Sequence, residues 1–474
     1  MTGDGVAFVV LAAGAGTRMK SALPKPLHPV AGVPMIERLL RASVGADPVA
    51  TTIVVSPPLA NLVERLGKGG DISSVIQEKP LGTGDAARRA LPTVGDAGWM
   101  LTVFADHPLL TKAIVADFVA GARAGQALVT VLTCVIEGGQ SYGRIERDDA
   151  GRPIGIVEFS DDDPARRTSA VEVNSGMMVL KLPWAAGALE RLTPNPRRGE
   201  YYLTDLLALA VAEAKPGAPW PVGTVKGDPD VIHGFNDRVE LAAVEAILRD
   251  RIRRRHMLNG VTIVAPETVF IDDDVTIGRD TAVLPYTMLE GRTTIGSGCR
   301  VGPHAVLTNA TLGDQVVVRS STISDSDIAD DTDVGPYAHL RRGTRVADHV
   351  HIGNYAELKN AELDAHVKVG HFSYLGDAHV GTRTNIGAGT VTCNYDGVRK
   401  HHTEIGPNVF VGSDSMLVAP VTIGAGAIIG AGAVVTKDVA EGAKVVGVPA
   451  RPIGRREPDS PPKGGTTPTT DEGG

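Results

Sequence analysis

The chain is short of several things. Its 474 residues include only three cysteines, Cys134, Cys299 and Cys393. They are widely separated and form neither a disulfide framework nor a C-x-x-C metal pair. That usage suits a reducing, cytoplasmic setting. Positive charge is in the minority, with 47 Lys and Arg against 55 Asp and Glu and a net charge of −8. Nucleic-acid binders usually carry a basic stripe, so no nucleic-acid partner is expected. No apolar run approaches 18 residues, so no membrane span is expected. The run Val6–Ala13 follows Asp4 rather than a basic segment and is too short for a secretory leader. Aromatic residues make up 4% of the chain, against 43% hydrophobic overall. Its cores must therefore be filled mostly by Val, Ile, Leu and Ala. At this length two or three domains are expected.

What the chain does have is a period of six. Aliphatic residues recur at Ile271, Ile277, Val283, Leu289, Ile295, Val301 and Leu307. A second run reads Val334, Leu340, Val346, Ile352 and Leu358. Leu363, Val369 and Leu375 start one residue early, and Val380 and Ile386 follow another slip. After an interruption come Ile405, Val411, Leu417, Ile423, Ile429 and Val435. Six matches neither the 3.6 of a helix nor the alternation of an isolated strand. It is the period of a parallel β-helix, in which one aliphatic side chain per flat side stacks on its copy in the next coil. The array resembles that of the hexapeptide acyltransferases. The resemblance implies a left-handed coil, trimers of side-by-side prisms, and acyl-CoA sites between subunits.

Residues 6–235 read as α/β. Apolar runs at Val6–Val10, Thr52–Val55, Met100–Phe104 and Leu128–Val135 alternate with amphipathic segments at Met35–Val44, Asp85–Leu91 and Ala113–Ala124. That order predicts a Rossmann-like, mostly parallel sheet with helices on both faces. The ligand crevice of such a sheet lies at the carboxyl ends of its strands. The first strand runs into Leu11-Ala12-Ala13-Gly14-Ala15-Gly16-Thr17-Arg18-Met19. Glycines and small residues let the backbone approach a ligand and aim amide donors at phosphate. Arg18 and, on a Pro-stiffened turn, Lys25 add two cations, which suits a triphosphate. The pattern is neither the dinucleotide fingerprint nor the P-loop.

These residues resemble the signature of sugar-1-phosphate nucleotidylyltransferases, and further motifs follow in that family's order. Gln77 precedes Leu81-Gly82-Thr83-Gly84, and Asp106 lies in Phe104-Ala105-Asp106-His107-Pro108. Tyr142-Gly143-Arg144-Ile145, Gly155-Ile156-Val157-Glu158, Val173-Asn174-Ser175-Gly176 and Phe235-Asn236-Asp237 come later. The resemblance implies a nucleotide and sugar site built from Leu11, Ala12, Ala13, Gly14, Lys25, Gln77, Gly82, Thr83, Phe104, Ala105, Asp106, Gly143, Glu158, Asn174 and Asn236. Arg18 and Lys25 would act on the transferring phosphoryl group, with UTP as co-substrate. A carboxylate at a strand end is an oxygen ligand suited to Mg²⁺, which keeps most of its waters. Asp106 with Asn236 is therefore the expected metal pair. Each also has a plainer reading as a helix N-cap. Gln77 offers amide donors and acceptors to a pyrimidine edge. Asp85 stands where the family usually has a basic residue or His, and Ala105 replaces a usual glycine. Neither supplies essential charge, so both departures are expected to be tolerated.

The solenoid period breaks at Thr392–His402, and a loop inserted into such an array tends to carry function. Coils of about 18 residues put Arg341, Lys359 and Tyr374 on one face. A cationic pair there suits a sugar phosphate. An imidazole is the side chain best suited to deprotonate an amine at neutral pH, which makes His371 the candidate base. The motifs GHFSYLGD, NIGAGT, TCNYDG and FVGSDSMLVAPVTIG extend the resemblance over residues 6–440. They are similar to the bifunctional bacterial enzymes that join a glucosamine-1-phosphate N-acetyltransferase to a UDP-N-acetylglucosamine pyrophosphorylase. That match implies Arg341, Lys359, Tyr374 and Asn385 on the amino-sugar phosphate, and His371 as general base. It puts Ala388, Asn394, Tyr395, Ser413 and Ala431 at acetyl-CoA, and Glu357 among groups that orient catalysis. It also implies a homotrimer. The alternative keeps only the nucleotidylyltransferase and makes the array a trimerisation scaffold. The expected domains are 1–235, a helical linker 236–259, the β-helix 260–454, and a disordered tail 455–474 rich in Pro, Gly and Thr.

Overall fold

In the computed structural model the described residues are 3–14, 16–66, 72–137, 142–167, 169–196 and 198–455. They divide into two units, one ending at Leu248 and the other beginning at Arg249. The first is an α/β unit around a nine-stranded sheet. Across the sheet the strands run Val222–Lys226, Val129–Glu137, Ala170–Lys181, Trp99–Phe104, Val6–Ala12, Pro48–Val55 and Ile72–Ile76. The short strands Arg144–Arg147 and Pro153–Val157 pair beside Ala170–Lys181. All seven residues of Val6–Ala12 are buried. A continuous apolar run is what a parallel strand covered on both faces requires. Its neighbours Pro48–Val55 and Trp99–Phe104 are parallel to it, as expected.

The sheet is nevertheless mixed. Strand Ala170–Lys181 enters between Trp99–Phe104 and Val129–Glu137 and is antiparallel to both. Its register with Val129–Glu137 jumps between Asn174 and Met178, so the Asn174-Ser175-Gly176 segment bulges out of the ladder. Two cores flank the sheet. Phe8, Val10, Ile36, Leu39 and Phe118 belong to one, and Val9, Ala86, Ala87, Leu206 and Leu207 to the other. Burying one such large aliphatic or Phe side chain contributes about 1.5–3 kcal/mol.

The second unit is a parallel β-helix of hexapeptide coils. Every coil supplies one strand to a twelve-stranded sheet and others to a seventeen-stranded one. Pairings between coils are parallel, the last strand Arg451–Arg455 returns antiparallel to Ala443–Val446, and equivalent residues are usually 16 to 18 apart, as in Arg300↔Val317, Val317↔Asp333 and Asp333↔His351. The six-residue aliphatics point inward: Val283, Leu289, Val301, Leu340, Leu358, Leu375, Val411 and Ile429 are 0% exposed. The stretch between Leu307 and Val334 escaped the strict period but does not interrupt the solenoid. Leu312, Val318, Ile323 and Ile328 fill it, on sides shortened to five residues. One step is long. Asn385 pairs with Phe410, 25 residues on, and the extra chain is the loop after Cys393. Helix Arg238–Leu258 crosses from the first unit into the second, and its Val244, Leu248 and Ile252 are buried. The chain expected as a tail from 455 is a strand through Arg455, and the rest of that segment lies outside the described residues.

Candidate active sites

At the carboxyl end of strand Val6–Ala12 a cleft of about 440 Å³ opens. Leu11, Ala12, Ala13, Gly14, Arg18, Lys25, Gln77, Gly82, Thr83, Phe104, Ala105, Asp106 and Asn236 line it. Gly16 has φ +57°, and a Cβ there would sit 2.9 Å from the Lys25 Cβ. Only glycine lets the turn lie so close to Lys25. The Lys25 ammonium bridges two oxygens, Asp106 Oδ2 at 2.9 Å and Asn236 Oδ1 at 3.1 Å. Burial pushes the Asp106 carboxyl up, but the charges of Lys25 and His107 outweigh it and the net shift is down. Gly234 lets the chain leading to Asn236 lie against Asp106, since a Cβ there would meet the Asp106 carbonyl oxygen at 2.5 Å.

The N-cap readings of the two oxygen donors do not hold. The next helix after Asp106 starts at Lys112 and is capped by Thr111. At Arg238–Leu258 it is Asp237 whose Oδ1 accepts from the Val239 and Glu240 amides. Asp106 and Asn236 instead present a carboxylate and an amide oxygen to one shared cation. That donor set fits Mg²⁺, which needs few protein oxygens.

Gly143, Glu158 and Asn174 are not among the cleft-lining residues. They form their own group. The Asn174 amide donates to the Gly143 carbonyl at 2.8 Å, and Asn174 Oδ1 accepts from the Gly176 amide. Glu158 accepts from Thr204 Oγ1 at 3.3 Å, and burial raises its carboxyl pKa. The bidentate pair Arg144–Asp162, at 2.9 and 2.7 Å, ties the segment after Glu158 back to Gly143's neighbour. Gln77 and Asp85 correct the expectations. Both Gln77 N–H groups are used, on Gly82 O at 3.0 Å and Asp85 Oδ2 at 2.8 Å. Only its oxygen is free to meet a ligand. Asp85 is no bystander but a buried hub, accepting also from Arg88 and Arg89.

In the β-helix, successive coils place Asn354, His371, Ala388, Ser413 and Ala431 at one corner. The amide of the residue after each of the last four donates to the carbonyl of the corner residue one coil earlier: Phe372 to Asn354, Gly389 to His371, Asp414 to Ala388 and Gly432 to Ser413. His371 is exposed there. The preceding glycines make the stacking possible: a Cβ on Gly370, Gly387 or Gly412 would lie 2.4 to 2.6 Å from the next coil's amide nitrogen. Asn385 lies on the twelve-stranded sheet, on the strand leading into this corner. Arg341, Lys359 and Tyr374 lie beyond it on the seventeen-stranded sheet.

There the expected stacking needs one adjustment. Lys359 pairs in register with Arg341 and with Gly376, while Tyr374 is opposite Glu357. Tyr374 thus shares the face but occupies the adjacent column. A Cβ on Gly376 would collide with Tyr374 Oη and Asn394 Nδ2, so both polar groups converge above that glycine. Asn394 Nδ2 donates to Asp377 Oδ2 at 2.6 Å, and Arg341 pairs with Glu357 at 2.8 Å. Lys400, in the inserted loop, approaches both Asp377 and Lys359. Its contact and charge, then the charge of Arg341, hold Lys359 below the ordinary lysine value. The loop is a tight hairpin. Tyr395 bridges Lys400, and the Asp396 carboxylate caps the Val398 and Arg399 amides and pairs with His401. Tyr395 is 61% exposed at its edge.

An α/β unit with a phosphate-type cleft, joined to a hexapeptide solenoid with a second polar cluster, defines a two-site transferase. Comparison with known proteins agrees. Residues 8–147 match the MobA-like NTP transferase domain, and residues 274–309 and 402–437 match the bacterial transferase hexapeptide (six repeats). The chain is 44% identical over 445 residues to the bifunctional protein GlmU of Pelobacter propionicus, covering 94% of this chain and 96% of that protein. It is 43% identical to GlmU of Heliobacterium modesticaldum, over 92% of this chain and 94% of that one. GlmU of a Synechococcus species is 39% identical, over 93% and 96%. The chain belongs to the GlmU family of bifunctional proteins.

Proposed function

We propose that the chain makes UDP-N-acetylglucosamine in two reactions. At the solenoid corner the amine of glucosamine 1-phosphate attacks the thioester carbonyl of acetyl-CoA. The C–S bond breaks and CoA leaves as the thiol. His371 takes the amine proton, since a protonated amine has no lone pair to attack with. Arg341, Lys359 and Lys400 hold the phosphate, and Tyr374 and Asn385 hold the sugar. Ala388, Ser413 and Ala431 leave the corner open for the acetyl-CoA chain, and Asn394 and Tyr395 close it from the loop. At the α/β cleft the phosphate oxygen of N-acetylglucosamine 1-phosphate attacks the α-phosphorus of UTP, and pyrophosphate leaves. Lys25 and Arg18 neutralise the transferring and leaving groups. Asp106 and Asn236 hold Mg²⁺, which when bound screens the phosphate charge. Gln77 and Gly82 receive the base, and Thr83, Gly143, Glu158 and Asn174 receive the sugar. Positioning and electrostatics carry most of such a transfer.

One observation favours two activities over a scaffold. Three cations, Arg341, Lys359 and Lys400, gather with Tyr374 Oη and Asn394 Nδ2 over Gly376 where the solenoid breaks its period, and His371 is exposed three residues before Tyr374. A purely structural array has no need of such a group. The assembly we propose is a cytoplasmic homotrimer. Tyr337, Tyr355 and Phe372, half or more exposed and stacked at 5.3 and 5.1 Å, support packing of a further subunit along their corner. Among the described residues no helix is long and apolar enough to cross a membrane. The order of reactions is tested by offering UTP with either sugar phosphate. Pyrophosphate release with N-acetylglucosamine 1-phosphate but not with glucosamine 1-phosphate supports it; equal release from both refutes it.

A further inference from the structure

Asp85 has surroundings too specific for a bystander. Its side chain is 1% exposed. Oδ2 accepts from Gln77 Nε2 and from Arg89 Nε, both at 2.8 Å, and Oδ1 from Arg88 Nη2 at 2.8 Å. Burial raises the carboxyl pKa, but the three donors outweigh it and the net shift is down. The group is a buried carboxylate whose acceptor capacity is aimed at fixed donors.

Gln77 is 5% exposed and lines the nucleotide cleft. An amide nitrogen has two N–H groups, and both are engaged, by Gly82 O and Asp85 Oδ2. Chemistry sets this orientation. Turned over, the amide would press its oxygen against a carbonyl and a carboxylate with no proton to share. Of the two acceptors, the carboxylate is the stronger, because charge-assisted bonds are roughly twice as strong as neutral ones.

We propose that Asp85 is a positioning residue for nucleobase selection: it locks the Gln77 amide so that an acceptor, not a donor, faces the base. The inference rests on the uridylyl-transfer reading above and deepens it. An acceptor at that point matches the imide N3–H of uracil. Cytosine carries a lone pair at N3, so two acceptors would meet. Thymine shares the N3–H and is not distinguished by this contact. A site built to bond a substrate N–H strongly rejects an analogue that lacks it, because a buried polar group is left unpaired.

The test is kcat/KM for UTP and for CTP in the full-length wild type, Asp85→Ala and Asp85→Asn. In Asp85→Ala the amide is free to turn over, and the UTP-over-CTP preference should fall by about tenfold or more. Asp85→Asn can keep its oxygen at the Oδ2 position for Gln77 and Arg89, giving up only the Arg88 bond. Its preference should stay within about threefold of wild type. Asp85→Ser, whose hydroxyl is too short to reach Gln77, replaces the alanine variant if that one does not fold. A parallel fall in both nucleotides, with the ratio unmoved, overturns the inference and leaves a structural role only. Asp85→Asn losing the preference as fully as Asp85→Ala overturns it as well. A wild type with no uridylyl transfer would instead remove the reading beneath it, which the same assay shows directly.

Discussion

Lys25 occupies the point on which both expected metal ligands converge, and this makes an unusual prediction. Its ammonium is 2.9 Å from Asp106 Oδ2 and 3.1 Å from Asn236 Oδ1, with side chains 14% exposed for Lys25 and 29% for Asp106. A divalent ion entering the free protein must displace it from those oxygens. A hydrogen bond to a charged group contributes about 1.5–3 kcal/mol. At about 1.4 kcal/mol per decade, Lys25→Met should tighten divalent-ion binding to the free protein by about 10- to 100-fold. The same ammonium is a transition-state donor in the proposed transfer, and losing one such donor costs about 10²–10³ in kcat. The variant should therefore bind metal better and work worse. Mn²⁺ titration of the nucleotide-free protein by electron paramagnetic resonance reads the first effect, and UTP-dependent pyrophosphate release reads the second. Unchanged or weaker Mn²⁺ binding in Lys25→Met would refute the shared-cation geometry. A parallel Asp106→Asn sample should lose most of the Mn²⁺ binding.

Two further outcomes concern the solenoid unit. His256 is 5% exposed, its Nε2 has no partner, and burial pushes its pKa down to about 4. The unfolded chain, with an ordinary His pKa near 6.5, binds the proton first. Stability should therefore rise with pH between about 4 and 6.5, by about 3 kcal/mol in full. Melting of His256→Gln should lose that slope, and an unchanged slope would assign it to other groups. Leu375 is 0% exposed and stacks in register on Leu358, which stacks on Leu340. Leu375→Ala should cost about 2–5 kcal/mol through the cavity it leaves. Calorimetry should show a lower transition for the solenoid, with pyrophosphate release unaffected at 25 °C; equal loss of both activities would count against independent units.

The solenoid was legible because its core depends on one repeated local rule. Each inward aliphatic answers to its copy a coil away, so the period survives in the sequence. Where sides shorten to five residues, between Leu307 and Val334, the same rule holds but a strict period of six misses it. The cleft was legible because a phosphate site draws its parts from short local motifs, such as Leu11–Arg18. The reverse strand Ala170–Lys181 was not, because its pairing partners lie far away in sequence. Residue type alone left Asp106 and Asn236 as metal ligands or helix caps. Only the position of Thr111 and Asp237 at the real helix starts removes the second reading. Asp85 shows the opposite failure. A charge judged dispensable by motif is held by three donors that no spacing reveals, because Gln77 and two arginines reach it only in the fold. Lys400 is illegible for the same reason, since its nearness to Lys359 and Asp377 depends on how the inserted hairpin folds back.

Two separate sites on one chain are tested most directly by CoA thiol release from acetyl-CoA and glucosamine 1-phosphate by the full-length protein, without UTP. Wild type and Asp106→Asn should release thiol. His371→Ala should lose about 10²–10⁴ of that rate, the usual contribution of a general base. Pyrophosphate release from N-acetylglucosamine 1-phosphate and UTP should persist in that variant. No thiol release from wild type would remove the acetyl-transfer site and leave the solenoid as a scaffold for a single nucleotidylyltransferase.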